Sequence, residues 1–436
     1  MRWQWRPLAA LVTVALASAA FAVVFRLALG WHYRHVLGGD SVVDAIASLP
    51  WQLRLTVPAL GGLAAGLVAR GLKPGSQGVS NVMEAVALGH VRLSVRTTLA
   101  RVAASTVAIA SGLSIGREGP LIEFGGSAGA AAGRRSAASV DQTRVLVAAG
   151  TGAGFAAAYN TPFAAVLFVI ETLVGIAAPA ALLPVMAATA IAAIVTRALV
   201  GAGPIYGQRT FASPDGVHLA WLVVLGVVAA IVAAAFKWLL ARAEALMEGT
   251  VAGQPWRALS GGLIVGLLAV WLPSVTGNGY EPLNQILDQR LALTAVALLL
   301  AAKMIATSAS VASGIPGGIF TPMLLAGAAC GTLFAALVAA VSPGTAPDPG
   351  TAALIGMAAT TAASIHAPLT AAVLVFELSG DYAIVVPLIL ATAAATAVSR
   401  AIGGESVYAA ELRRRGLGWE LTLEGRELDH DGRGTS

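Results

Sequence analysis

Charge is scarce in this chain. Only 11% of its 436 residues are Asp, Glu, Lys or Arg, 57% are hydrophobic, and the mean hydropathy is +0.79. A soluble domain carries about 25% charged residues, so the composition excludes an ordinary soluble globule and leaves a polytopic membrane protein. Cysteine is nearly missing: Cys330 stands alone in an Ala/Gly-rich run. That excludes an internal disulfide and a cysteine metal cluster. No glycine-rich nucleotide loop, no Ser/His/Asp set and no metal-ligand spacing emerges, so neither a cofactor nor an enzymatic activity is expected. The formal net charge of +5 is modest, and the basic residues dot the ends of apolar segments rather than forming a patch. Nucleic-acid binding is therefore not expected, and the asymmetry of charge in membrane loops accounts for the arginines.

What is present is a series of apolar runs. They cover Leu8–Phe25, Leu55–Val68, Leu99–Leu113, Leu121–Ala132, Val145–Ala158, Pro162–Val174, Ala180–Ala198 and Val217–Leu240. The series continues with Leu259–Leu272, Leu291–Ala306, Pro322–Val341, Thr351–Ala363, Pro368–Leu378 and Val385–Val398. Several fall short of the ~20 residues that span a bilayer. With 49 glycines punctuating the breaks, broken and partial helices are implied. Such irregular backbone survives at membrane depth only when buried in protein or lining a watery cavity. The first run continues unbroken past the small residues Ala17-Ser18-Ala19, which favours a retained span over a cleaved signal peptide. His32 and His35 flank that run and read as loop residues.

The chain also resembles itself. Gly61-Gly62-Leu63 to Gly66-Leu67 recurs as Gly261-Gly262-Leu263 to Gly266-Leu267. Ser111-Gly112, Gly116 and Pro120 recur as Ser313-Gly314, Gly318 and Pro322, at an offset of 313 − 111 = 202. Pro162 to Glu171 recurs as Pro368 to Glu377, at 368 − 162 = 206. Ordered matches of this kind define an internal repeat. The loop after the first unit carries Arg134, Arg135 and Arg144, whereas its counterpart from Val341 to Thr351 holds no basic residue and one Asp348. Equivalent loops of opposite basic content belong on opposite faces, so the repeats are inverted. The expected organisation is an N-terminal segment and first span (1–50), a first inverted repeat (51–200), an inter-repeat span (201–250), a second inverted repeat (251–410) and a short tail (411–436). Arg2 and Arg6, with Arg413, Arg414 and Arg415, place both ends in the cytoplasm.

Two polar patches interrupt this apolar pattern: Gly116-Arg117-Glu118-Gly119-Pro120 and Gly318-Ile319-Phe320-Thr321-Pro322. Each ends in a proline suited to the first turn of a helix, so each aims free N–H groups, the positive helix end, at a point inside the membrane. Such ends attract anions. The glycines let backbone approach a ligand closely, and Arg117 adds positive charge. Glu118 is ionisable where ionisable groups are expensive and usually functional. Its carboxylate would occupy the anion position when ionised and leave when protonated or displaced. Glu123 lies about one turn further along the same short helix. Asn160 and His366 sit at equivalent positions before Pro162 and Pro368 and read as helix-entry residues.

In order and type, these motifs resemble the CLC family of chloride channels and proton/chloride antiporters, from about Leu55 to Tyr408. The two patches match its GREGP and GxFxP signatures. Further matches are the turn Ala157 to Pro162, the helix Leu167 to Glu171, and Gly403-Gly404-Glu405-Ser406-Val407-Tyr408. The resemblance implies an all-α polytopic fold of two inverted-topology repeats with broken helices. It implies a homodimer with one pore per subunit in the cell (inner) membrane, carrying chloride or a similar small anion, with exchange for protons as the favoured reading and a passive chloride channel without proton coupling as the alternative. Carried over by position, Glu118 is the gating glutamate, the amides of Ile319 and Phe320 hold the anion, and Tyr408 supplies a hydroxyl. Gly116, Arg117 and Gly119 complete the site. Two departures stand out. The family's GSGIP signature is replaced by Gly75-Ser76-Gln77-Gly78-Val79, so the pore serine position falls on Gln77, whose amide can also donate to an anion, or on Ser76. The second acid that follows the Leu167–Ile170 helix in many antiporters is Thr172, with Glu171 reading as structural. Fewer residues follow Tyr408 (436 − 408 = 28) than the family's paired regulatory domains need. A cation/proton antiporter built on Glu118 and Glu123 is disfavoured, because it would need an acceptor-rich lining.

Overall fold

The structure is a computed structural model. It describes residues 5–72, 78–88, 93–174, 179–203, 205–207, 209, 214, 216–251, 253–415, 418–422 and 425–429. The elements, in order, are α1 (Trp5–His32), α2 (Val42–Ser48), α3 (Trp51–Ala69), α4 (Gly78–Leu88), α5 (Val95–Ala110), α6 (Glu118–Arg135), α7 (Val140–Tyr159), α8 (Pro162–Phe168) and α9 (Pro179–Val200). There follow α10 (Gly216–Thr250), α11 (Gln254–Trp271), α12 (Tyr280–Leu287), α13 (Leu293–Ala312), α14 (Phe320–Val341), α15 (Pro349–Ile365), α16 (Pro368–Ser379), α17 (Val385–Ala401) and α18 (Val407–Arg414). Each apolar run of the sequence became one of these helices. Four elements were not legible as apolar runs: α2, α4, α12 and α18, all short and partly polar. His32 ends α1 and His35 lies in the π-helical turn Tyr33–Leu37, so the loop reading of both histidines is corrected. Beyond α18, Gly418–Thr422 and Gly425–Asp429 pair as a small antiparallel hairpin, β1 and β2.

Among the described residues, seven segments are long and apolar enough to cross a bilayer, including Trp51–Ala69, Phe320–Val341 and Tyr382–Ala401. Shorter apolar helices at Pro162–Leu173 and Pro368–Ser379 are the partial helices that the sequence implied.

The two inverted repeats meet through reciprocal contacts. In α3 and α11 the recurrent glycines allow backbones to touch: a Cβ on Gly62 would strike the Ala258 carbonyl, and one on Gly262 would strike that of Pro58. Small residues spaced four apart favour such close packing where burying apolar surface offers no gain over lipid. The pairs α6–α7 and α14–α15 repeat the device. Gly125 lies on Gly150 and Gly129 on the Leu146 carbonyl; Gly327 lies on Gly356 and Gly331 on the Ala352 carbonyl. These contacts carry the offsets of the sequence repeat, 327 − 125 = 202 and 356 − 150 = 206.

Helix starts are exchanged between the repeats. Glu171 accepts the amides of Leu369 (3.1 Å) and Thr370 (2.6 Å) at the start of α16. In mirror image, Glu377 accepts those of Phe163 (3.2 Å) and Ala164 (2.8 Å) at the start of α8. Each carboxylate therefore caps the positive end of the other repeat's helix, where no other partner exists for free N–H groups in lipid. Asn160 and His366 close α7 and α15 in the left-handed conformation, both with φ 56°, so they end the preceding helix rather than open the next. We expect Glu171→Ala and Glu377→Ala to lower the thermal unfolding midpoint of detergent-solubilised protein by similar amounts. Each strands helix N–H groups at a cost of about 1–3 kcal/mol. A shift in one variant alone would contradict the mirrored role.

Candidate functional site

α5 and α13 end alike. Each is closed by a serine and then a left-handed glycine, Gly112 (φ 91°) or Gly314 (φ 76°), a backbone state that glycine adopts without strain. Beyond these turns the two strands of backbone meet. The Gly116 amide donates to the Gly318 carbonyl at 2.6 Å and the Gly318 amide to the Gly116 carbonyl at 2.9 Å. The Ser114 amide donates to Ser310 Oγ (3.1 Å), and the Ser114 and Thr307 hydroxyls share a hydrogen bond of 2.9 Å. From this junction α6 starts at Glu118 and α14 at Phe320, with Pro120 and Pro322 in their first turns.

The Glu118 side chain crosses from one helix start to the other. It is 2% exposed. Its Oε1 accepts the amides of Phe320 (2.9 Å) and Thr321 (3.2 Å), and its Oε2 accepts the Thr321 hydroxyl (3.2 Å). A helix N-terminus holding a carboxylate in this way is a ready anion site. A Cβ at Gly116 or Gly318 would overlap the Glu118 carboxyl, which is why both patches open with glycine. The structure shows which amides hold the Glu118 carboxylate. Phe320 and Thr321 hold the carboxylate, while Ile319 precedes α14 as its N-cap and lines the adjoining cavity.

Glu118 separates two spaces of very different size. On one side lies a cavity of about 630 Å³, which reaches from Glu118, Gly119, Gly318, Ile319 and Phe320 past Tyr408 to the exposed Glu248 and Arg414. On the other side a pocket of about 10 Å³, room for roughly one water, is bounded by Arg117, Tyr159, Tyr206, Asn278, Tyr280 and Thr321. The carboxylate therefore sits in the neck. Tyr408, at the start of α18, faces the large cavity with its ring edge-on to Phe168 at 6.5 Å. Arg117 stands on the narrow side. Ser76 and Gln77 lie outside the described residues, and Gly78 and Val79, which follow them, line the cavity. Glu123 pairs with Arg101 at 2.5 Å. Thr172 turns its hydroxyl to the Phe168 carbonyl.

Sequence reasoning passed over Thr321 and Tyr159 as site residues. The Thr321 hydroxyl shares a 2.9 Å hydrogen bond with Tyr159 Oη, so a polar chain runs from the Glu118 carboxylate to the end of α7. A tyrosine after a run of alanines was the available signal.

The family model described as voltage gated chloride channel matches residues 61–400. The chain belongs to this family. It is similar to the ClcB-like chloride channel protein of Ralstonia nicotianae, with 40% identity over 92% of this chain and 94% of that one. Its similarity to the voltage-gated ClC-type chloride channel ClcB of Salmonella dublin is 32% identity over 91% and 95%. In fold it is similar to a slow cyanobacterial Cl⁻/H⁺ antiporter, with TM-score 0.85 and 24% identity over 95% of this chain and 99% of that one. It is likewise similar to a CLC-type fluoride/proton antiporter, with TM-score 0.75 and 20% identity over 94% and 99%. This CLC chain is thus a multi-pass membrane protein of a chloride-transport family.

Thr321→Val removes one of the three donors to Glu118 and strands Tyr159. A hydrogen bond to a charged group contributes about 1.5–3 kcal/mol, so the seated carboxylate should yield more readily to a competing anion. Calorimetric titration of chloride into this CLC protein should show roughly tenfold or more tighter binding for the variant, with Tyr159→Phe shifted less in the same direction. Weaker or unchanged binding in Thr321→Val would argue against the competition.

Proposed function

We propose that this protein exchanges a small anion, chloride foremost, for protons across the cell membrane, with Glu118 as gate and outer proton acceptor. The observation that carries the reading is the Glu118 carboxylate seated on the Phe320 and Thr321 amides between the two spaces. An ionised carboxylate and a transported anion compete for the same helix-end donors, so only one occupies them at a time. A proton on Glu118 removes the charge that makes those hydrogen bonds strong. The side chain then leaves the neck, and an anion can pass toward the cavity lined by Ile319, Phe320 and Tyr408. Binding of one ion and departure of the other share a single step, which is the physical requirement of exchange.

The remaining site residues take supporting parts. Gly116 and Gly119 keep the backbone close, Arg117 draws anions to the narrow side, and Gln77 or Ser76 contributes a donor from the segment before α4. The repeats extend over 51–200 and 251–410, joined by 201–250, with 1–50 as the entry span and 411–436 as a tail. Both ends lie in the cytoplasm of an inner-membrane protein, so the large cavity opens inward. A homodimer is supported by apolar side chains left exposed on and beside α8 and α16: Phe163 (66%), Leu369 (48%) and Tyr382 (79%). The protein transports and does not catalyse a covalent reaction.

A passive anion pore is the second reading. It is favoured by Thr172, which offers no carboxylate to relay protons from the inner face and whose hydroxyl is spent on the Phe168 carbonyl. Reconstitution in liposomes separates the two. An imposed chloride gradient should drive protons against no other force, and Glu118→Gln should abolish proton movement while anion flux persists and loses its dependence on pH. Chloride flux without any proton movement in the unmodified protein would establish the passive pore. Proton movement that survives Glu118→Gln would remove Glu118 from its role.

A further inference from the structure

Beyond the neck, three separate helices wall the inner cavity: α4 through Gly78 and Val79, α6 through Glu118 and Ile122, and α18 through Tyr408 and Arg415. A continuous polar chain ties these three together, from Glu123 behind the wall to Glu411 and Arg415, which line the cavity. It starts at Glu123 of α6, 2% exposed, whose Oε1 meets Arg101 at 2.5 Å and Asn81 Nδ2 at 3.2 Å. Its Oε2 accepts the Gly78 amide at the start of α4 (3.2 Å). Asn81 turns its carbonyl to Arg415, which donates to Oδ1 at 2.9 Å. Arg415 also binds Glu411 one turn back on α18, and Glu411 accepts the Ser80 hydroxyl at 2.7 Å.

Asn81 is the node of this chain, and its chemistry fits no other residue well. A carboxylate on one side requires a donor and a guanidinium on the other requires an acceptor; a primary amide presents both from one short side chain. Aspartate would set two carboxylates against each other, and an apolar residue would leave both charges short of a partner. The far end of α18 is fixed independently. The Ser406 hydroxyl caps its first turn by accepting the Ala409 amide (3.1 Å), and Lys237 holds the Glu405 carbonyl (2.9 Å). Arg415 therefore sets the remaining freedom of the short helix that carries Tyr408, namely its approach to α4 and α6.

We propose that Asn81 and Arg415 form a latch that sets the width of the inner anion mouth by fixing Tyr408 relative to Gly78 and Glu118. They are positioning residues: Asn81 stands behind the cavity wall, and Arg415 lines the cavity at the end of α18, where it holds that helix to α4. The inference rests on the reading of the large cavity as the route of the transported anion. Releasing the latch lets α18 move from α4, so the mouth widens, small anions are gripped less and larger ones are admitted more easily.

The test uses the full protein in liposomes, with anion efflux as readout, so that it does not depend on proton coupling. Asn81→Ala and Arg415→Gln are expected to raise the half-saturating chloride concentration on the inner side at least threefold. They should also raise the flux of thiocyanate relative to chloride by a similar factor. Arg415→Lys, which keeps the charge but loses the branched contact, should fall between. Arg413→Gln, on the exposed face of the same helix, should match the unmodified protein. Ser80→Ala removes a single hydroxyl and serves if the larger changes abolish folding; its shift should be smaller and of the same sign. Variants that lose thermal stability but keep both the half-saturating concentration and the anion ratio would overturn the latch. Unmodified protein that carries no anion would instead overturn the transport reading on which the latch rests.

Discussion

One small backbone contact organises the molecule: the reciprocal hydrogen bonds between Gly116 and Gly318. They bring the starts of α6 and α14 together inside a region where free N–H groups find no water. Two positive helix ends approaching each other repel unless negative charge lies near them. The Glu118 carboxylate supplies that charge in the present state. A carboxylate at this point gives the first amides of α14 the acceptor they would otherwise lack.

The inverted repeat is what makes such a contact possible. A helix that starts mid-membrane leaves its first amides without partners, and a single half of the chain offers no cover for them. Two halves in opposite orientation cover each other. Glu171 caps α16 and Glu377 caps α8, just as Gly116 and Gly318 complete each other at the centre. Symmetry is broken where the work is done: Glu118 has no acidic counterpart at the equivalent position, Phe320. One repeat therefore brings the titratable side chain and the other brings the amides that receive it.

The asymmetry of space around Glu118 has the same origin. On the narrow side Tyr159, Tyr206 and Tyr280 fill the volume, whereas on the broad side the walls are tied to one another by a polar chain through Glu123, Asn81 and Arg415. Aromatic bulk fills one approach, and the other remains a cavity whose wall helices are joined by polar contacts.

Composition and periodicity by themselves determined the membrane class, the apolar helices, the inverted repeat and the two patches. Long apolar runs can bury nowhere else, and arginine bias between equivalent loops reports their facing. The short helices α2, α4, α12 and α18 escaped because their residues are half polar and only tertiary contacts make them helical. Glu118 was legible as an isolated carboxylate among small residues, but its seat was not. Which amides it reaches, those of Phe320 and Thr321, depends on how α14 is rotated against α6. That rotation follows from glycine contacts some two hundred residues apart in the chain. The same holds for Tyr159 on Thr321 and for Arg415 on Asn81. Local sequence fixes what a side chain can donate or accept; only the packing of distant helices decides which partner stands within reach.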